Sequence, residues 1–251
     1  MASDKFTFKQ FEVWHDKCGM KVGTDGVLLG AWCDLKGCLS MLDVGTGTGL
    51  IALIAAQRHP QLRITAIDIM PEAVGQAQEN VERSPFADRI EVVEGDFLHF
   101  DFPSHADSQH ADSQKRTFFD AIVSNPPFYS TDIHSPSAAR DMARHSDSLP
   151  FDKLLGHASR LLSPEGRLSL ILPFTAASDA IGFANMHGLL LSRRTDVAGN
   201  ERVVPKRSLL EFRKTDTIGQ SLKGRLNIRN SHNEYTEEYK SLTGDLYVSL
   251  K

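Results

Sequence analysis

Leu42-Asp43-Val44-Gly45-Thr46-Gly47-Thr48-Gly49 sets three glycines on alternate positions at the end of an apolar run, residues 39–44, that predicts a strand. The glycines allow a tight turn and a close approach of backbone to a ligand, and the helix predicted over 49–58 points its N-terminus at that pocket. Outward from this unit the same alternation continues. Strands are expected at 62–67, 90–93, 119–124 and 167–172, and helices at 151–162 and 178–187, with another opened by Pro71 and favoured by Glu72 in its first turn. Strands alternating with helices imply βαβ units and a parallel sheet. The runs 189–195 and 208–215 are joined by a short connection and read as an antiparallel pair at the sheet edge. The expectation is an α/β, Rossmann-like fold: seven strands, mostly parallel, an antiparallel edge strand, and helices on both faces.

The glycine spacing is G-x-G-x-G rather than the dinucleotide G-x-G-x-x-G. Asp43 at the strand end repels a pyrophosphate but attracts the amino group of a zwitterionic cofactor, which points to S-adenosylmethionine rather than NAD. Asp68 ends the second strand nineteen residues after Gly49, where a carboxylate accepts from both ribose hydroxyls. Asp96 follows the third strand and suits an adenine amino group, with Phe97 packing on the ring. Gly45, Gly47 and Gly49 complete the candidate cofactor set. A generic Rossmann turn accounts for each piece alone; the three in order, each at a strand end, do not fit that reading.

Asn125-Pro126-Pro127-Phe128 ends the strand at 119–124, on the side where open α/β sheets bind ligands. Asn125 offers a carbonyl oxygen, the prolines stiffen the backbone and donate nothing, and Phe128 supplies a stacking face. The set suits an exocyclic amine on an aromatic ring.

The chain has 251 residues, of which 41% are hydrophobic, enough for one sizeable α/β domain over 1–251. No apolar run approaches the length of a bilayer span and the start lacks the apolar core of a secretory signal, so a cytoplasmic location is expected. Cys18, Cys33 and Cys38 lack C-x-x-C pairing and metal-ligand His spacing, which leaves reduced, buried or incidental thiols and no metal. Net charge is −4, yet residues 191–230 hold ten basic residues against four acidic ones, a local +6. That segment reads either as a phosphate-binding edge or as a solvated hairpin face. His105-Ala106-Asp107-Ser108-Gln109 is repeated at once as residues 110–114, which predicts an exposed loop over 104–116.

The motif series from Asp43 to Gly49, Asp68, Asp96-Phe97 and Asn125 to Phe128 resembles that of class I methyltransferases acting on amino groups. Asn-Pro-Pro-aromatic is shared there by adenine-N6, guanine-N2 and protein-glutamine enzymes. The N-terminal residues Phe8-Lys9-Gln10-Phe11, His15-Asp16 and 20–32 are similar to the start of the bacterial valine-tRNA adenine-N6-methyltransferase family. Ala143-Arg144-His145, residues 205–212 and the ending from Tyr235-Thr236 to Tyr247 extend the likeness over nearly the whole chain, and the doubled pentapeptide departs from it.

The resemblance implies S-adenosylmethionine-dependent methylation of the adenine 3′ of the anticodon in a valine tRNA. Asn125, Pro126, Pro127 and Phe128 are then catalytic, and Arg144, Lys206 and Arg207 are candidate RNA contacts. It further implies an N-terminal lid over 1–37 and a catalytic core over 38–251, with no membrane and no stable protein partner. A ribosomal-RNA guanine-N2 enzyme, a protein-glutamine enzyme and a catalytically idle RNA-binding module are the alternatives. Lys21 and Thr24 resemble a segment that lines the cofactor pocket, although Thr24 also reads as a helix cap. His145 reads equally as a surface residue, and Trp32 reads as core, as against base stacking by Trp14 or Trp32.

Overall fold

The computed structural model describes residues 4–17, 21–102, 118–127, 151–217 and 219–250. A short N-terminal hairpin, β1 (Lys5–Thr7) and β2 (Glu12–Trp14), precedes α1 (Thr24–Trp32). The core then runs β3 (Ser40–Val44), α2 (Leu50–Arg58), β4 (Arg63–Asp68), α3 (Pro71–Glu82), β5 (Ile90–Glu94) and β6 (Phe119–Ser124). After it come α4 (Phe151–Leu161), β7 (Leu162–Pro173), α5 (Ala177–Met186), β8 (Leu189–Ala198), β9 (Arg207–Lys214), β10 (Leu222–Asn227) and α6 (Glu237–Thr243). The expected elements are present, with ends shifted by a few residues; the hairpin, β10 and α6 are additional.

The sheet order is β10-β8-β9-β7-β6-β3-β4-β5. From β3 the chain winds out to β4 and β5, then returns to place β6 on the other side of β3. The reversal of strand order thus falls between β3 and β6, where doubly wound sheets open a crevice at their carboxyl ends. β9 runs antiparallel to both β7 and β8, so β8 points the same way as β7.

The sheet has eight strands, not the seven expected, because β10 pairs in parallel outside β8 and takes the edge. Its Leu222, Lys223, Gly224 and Arg225 are exposed and only Leu226 is buried, so it lacks the apolar alternation that marks a half-buried strand.

Alternate residues of each central strand serve opposite faces, as a period of two requires. Leu168, Leu170 and Leu172 of β7 pack with α4 and α5, whereas Ile171 packs with α1 and α2. Within the second layer α1 lies so close to α2 that a Cβ on Gly26 would stand 2.9 Å from Leu50 and one on Gly30 3.0 Å from Ile54. Any larger residue there would force the helices apart, and α1 would lose the burial of Val27, Leu28 and Leu29. Residues 26–32, part of the segment expected as a lid, are buried in the core.

The two ends of the described chain meet. Lys9 donates its amide to the Leu246 carbonyl at 2.8 Å and its ammonium to the Gly244 carbonyl at 2.6 Å. Phe8 stacks on Phe11 and on Tyr247, with centroids 4.7 and 5.9 Å apart. Thr236 caps α6 by accepting the Tyr239 amide at 3.2 Å.

Candidate active site

At the end of β3 the chain turns through Gly45, Gly47 and Gly49, all in the left-handed region with φ of 69°, 58° and 80°. L side chains are disfavoured there; a Cβ on Gly49 would make ordinary contact with Ala77 at 3.5 Å, so its backbone angle alone sets the cost. A Cβ on Gly45 or Gly47 would meet nothing within 4 Å, because these two face open space. The turn is pinned from β4: the Gly45 and Thr46 amides donate to the Ile67 carbonyl at 2.9 and 3.0 Å, and the Gly47 amide donates to Asp68 Oδ2 at 2.8 Å.

Asp43 lies fully buried beneath this turn. Thr46 Oγ1 donates to its Oδ2 at 2.7 Å, while Oδ1 has no hydrogen-bond partner among the described residues. Burial pushes its carboxyl up to about 7, against the pull of the Thr46 hydroxyl and of the Ala52 backbone amide on α2. A buried carboxylate with one orphaned oxygen is completed by a cationic donor. The ammonium of a zwitterionic cofactor fits that requirement, as the open cradle at Gly45 and Gly47 fits its backbone.

Asp68 already accepts twice, from Gly47 through Oδ2 and from the Met70 amide through Oδ1 at 3.0 Å. Each oxygen keeps a second lone pair, so a vicinal diol can still be received. Asp96 accepts the Leu98 amide at 3.0 Å and pairs with His99 Nδ1 at 2.5 Å. Desolvation raises its pKa, but these hydrogen bonds outweigh that and hold the carboxyl below its ordinary value. Phe97 departs from its expected role as a stacking plate. Its ring is only 5% exposed and packs edge-on against His157, with centroids 4.7 Å apart, and against Phe102. The hydrophobic core claims that ring.

Asn125 follows β6 directly. Ser124 Oγ donates to the Val44 carbonyl at 2.8 Å, which locks the carboxyl ends of β3 and β6 in register and holds Asn125 beside the glycine turn. Among the described residues the Asn125 carboxamide makes no hydrogen bond, so its oxygen is available. Gly45, Gly47, Asn125, Pro126 and Pro127 line one cavity of about 510 Å³. The cofactor turn and the acceptor motif therefore share a single space. Asp43, Gly49, Asp68, Asp96 and Phe97 do not line it; Phe128 lies outside the described residues.

Lys21 and Thr24 line the same cavity. Thr24 is the first residue of α1 and does not cap it; Gly23 holds the cap position without a side-chain hydrogen bond. Asp25, Ile171 and Pro173 also line the cavity, and sequence reasoning missed them. Pro173 carried the one signal available, a position at the carboxyl end of a predicted strand.

Most of the basic segment turns inward. Arg193 pairs with the buried Glu211 at 2.9 Å and lies 3.7 Å over the Trp32 ring, whose Nε1 donates to Thr195 at 3.0 Å. Arg194 pairs with Asp196 at 2.7 Å. Arg207 lines the cavity with its Nε 2.7 Å from Asp25 Oδ2, so it bridges β9 and α1. Lys206 is exposed, and Arg144 and His145 lie outside the described residues, as does the doubled pentapeptide. The Trp14 ring is covered by Lys5 and Arg83, at 5.1 and 5.2 Å. Cys33 and Cys38 are free and buried, and burial pushes the Cys33 thiol up to about 12. Among the described residues no group of three metal-ligating side chains occurs, and no helix is long and apolar enough to cross a membrane.

A doubly wound sheet with one antiparallel strand near its edge, and a cavity shared by a G-x-G-x-G turn and an Asn-Pro-Pro strand end, defines a class I methyltransferase. Solved structures agree on the fold. A protein described as a predicted O-methyltransferase from Agrobacterium tumefaciens superposes with a TM-score of 0.65 at 18% identity, covering 88% of this chain and 96% of that one.

A mitomycin 7-O-methyltransferase gives 0.52 at 18% identity, covering 76% and 53%. The family model described as methyltransferase small domain matches residues 35–175. A relative from Bacteroides thetaiotaomicron is 44% identical over 252 residues, with 100% of both chains covered, and one from Aliivibrio fischeri is 39% identical over 248 residues, with 99% of each covered. Both carry the name tRNA1(Val) (adenine(37)-N6)-methyltransferase. The chain belongs to the methyltransferase small domain family and, within it, to the group of these full-length relatives.

Proposed function

We propose that this chain uses S-adenosylmethionine to methylate the exocyclic N6 of the adenine immediately 3′ of the anticodon in a valine tRNA. The observation that carries the reading is the single cavity joining the glycine turn to Asn125, Pro126 and Pro127, with the Asn125 carboxamide unpaired among the described residues. Relatives of equal length bear the name of that activity. The protein acts as one domain in the cytoplasm, without a metal or a stable protein partner.

When bound, S-adenosylmethionine supplies an electrophilic methyl group on a sulfonium. Asp43 holds the amino group, Gly45, Gly47 and Gly49 let the backbone approach, Asp68 receives the ribose and Asp96 the adenine amine. An acceptor adenine amine is a poor nucleophile because its lone pair is delocalised into the ring. Asn125 Oδ1 and the Pro126 carbonyl each accept one amino hydrogen, which draws the nitrogen toward tetrahedral geometry and aims its lone pair into the cavity. The methylated ammonium is a strong acid and loses its proton after transfer, so no basic side chain is needed. Phe128 stacks on the extruded base, a contact worth about 1 to 3 kcal/mol in single-stranded recognition. An anticodon loop is partly unpaired, which lowers the cost of extrusion.

Incubation with labelled methyl donor and tRNA lacking the modification, followed by nucleoside analysis, is the test. N6-methyladenosine is expected. Methylguanosine or labelled protein as the product overturns the adenine reading, and calorimetry without detectable cofactor binding points to an idle module.

A further inference from the structure

We infer that the β8–β9 connection, residues 199–206, is a pre-formed docking loop for the RNA backbone that flanks the methylated nucleotide, and that β10 exists to brace it. The inference rests on the RNA reading above. β8 runs parallel to β7, so its carboxyl end at Ala198 emerges on the same side of the sheet as the cavity. The loop reaches that cavity directly: Lys206 accepts the Phe174 amide through its carbonyl at 3.0 Å, and the next residue, Arg207, pairs across β9 with Pro173, both lining the cavity.

A connection of eight residues is ordinarily among the more mobile parts of a fold. Here the carbonyls of Gly199, Asn200, Glu201, Val203 and Lys206 accept hydrogen bonds. The guanidinium of Arg225, on β10, donates through one nitrogen to the carbonyls of Asn200, Glu201 and Val203, at 3.3, 3.4 and 2.7 Å. Its Nε is fixed by Asn227 Oδ1 at 3.0 Å. The Arg229 amide donates to the Gly199 carbonyl at 2.9 Å, and the Lys206 amide closes the loop onto Val197 at 2.9 Å. These bonds hold much of the loop backbone before any partner arrives, which lowers the entropic cost of binding.

The braced loop presents Arg202 and Lys206 with Val203 and Val204, all exposed, Val204 at 71%. Most other cations of the segment are occupied: Arg193, Arg194 and Arg207 by carboxylates, Arg225 and Arg229 by backbone carbonyls. Two exposed cations around an apolar tip, beside a cavity that receives a planar amine, match a phosphodiester backbone with an unstacked base.

The test compares wild type, Arg202→Ala/Lys206→Ala and Arg225→Met on unmodified tRNA across salt concentrations, with cofactor affinity and thermal unfolding as controls. The double variant replaces exposed side chains only and keeps the fold. KM for tRNA should rise about tenfold with kcat and cofactor affinity nearly unchanged, and the salt slope of log KM should flatten by about 0.7 per lost contact. Arg225→Met should raise KM in the same direction while leaving the slope closer to wild type. Unchanged KM and slope in an active double variant overturn the docking loop and leave the RNA reading standing; a wild type that transfers no methyl group to any RNA overturns that reading itself.

Discussion

The substitution Asp43→Asn isolates the electrostatic cost of the glycine turn. Asp43 is fully buried, with no side-chain partner for Oδ1 among the described residues, and its carboxyl is raised from 3.8 to about 7. The folded chain thus binds this proton more tightly than the unfolded chain does, so the site's stabilising share is fully present below 3.8 and is lost as pH rises through 7. A displacement of about three units amounts to roughly 4 kcal/mol in all, of which more than half falls between about pH 5 and pH 8. The carboxamide that replaces the acid does not titrate and keeps an acceptor for Thr46. Urea unfolding of both proteins without cofactor, in steps from about pH 5 to about pH 8, should show the variant gaining on wild type by roughly 2 to 3 kcal/mol over that range. Other titrating groups are common to both chains and cancel in the difference. Parallel profiles would refute the reasoning, since they would mean that Asp43 stays ionised at little cost. Saturating cofactor should raise the wild type more than the variant at about pH 8, because the ammonium supplies the missing partner.

Three further substitutions probe other parts of the structure. Asn125→Ala should lower kcat by about 100-fold or more, as loss of one transition-state hydrogen bond does, while calorimetry finds cofactor affinity within a few-fold. Gly49→Ala forces an L residue to a φ of 80° and should cost about 2 kcal/mol in urea unfolding; full stability would deny the left-handed turn. Arg193→Met leaves Glu211, 3% exposed, without its cation and should cost about 3 kcal/mol, with Arg193→Met/Glu211→Gln recovering part of the loss in a double-mutant cycle.

The parts of the fold that can be read from the chain are those where a local pattern repeats what the tertiary structure needs. Residues 42–49 carry strand, turn and helix start in eight positions, and Asn125 stands where an apolar run stops. Both strand ends are legible because the change of pattern lies in their own residues. β10 is not, since an edge strand covered on one side needs little apolar content, and Leu226 alone supplies it. Partners distant in sequence are equally hidden. Arg207 counts as one of ten cations on a basic stretch, whereas its carboxylate, Asp25, stands 182 residues away. Phe97 misleads for a related reason: an aromatic beside a ligand motif looks the same in sequence whether its ring faces the ligand or the core.

The meeting of the chain ends bears on how the protein is made. The cavity wall at Thr24 and Asp25 belongs to α1, α1 packs against α6, and the aromatic cluster of Phe8 and Phe11, which also meets Phe86, is closed by Tyr247 and Leu246. Synthesis proceeds from the amino end, so the first-made segment waits for residues 244–247 before its ring cluster is covered. A message cut short before that point yields a polypeptide with its cofactor turn encoded but its aromatic clasp bare.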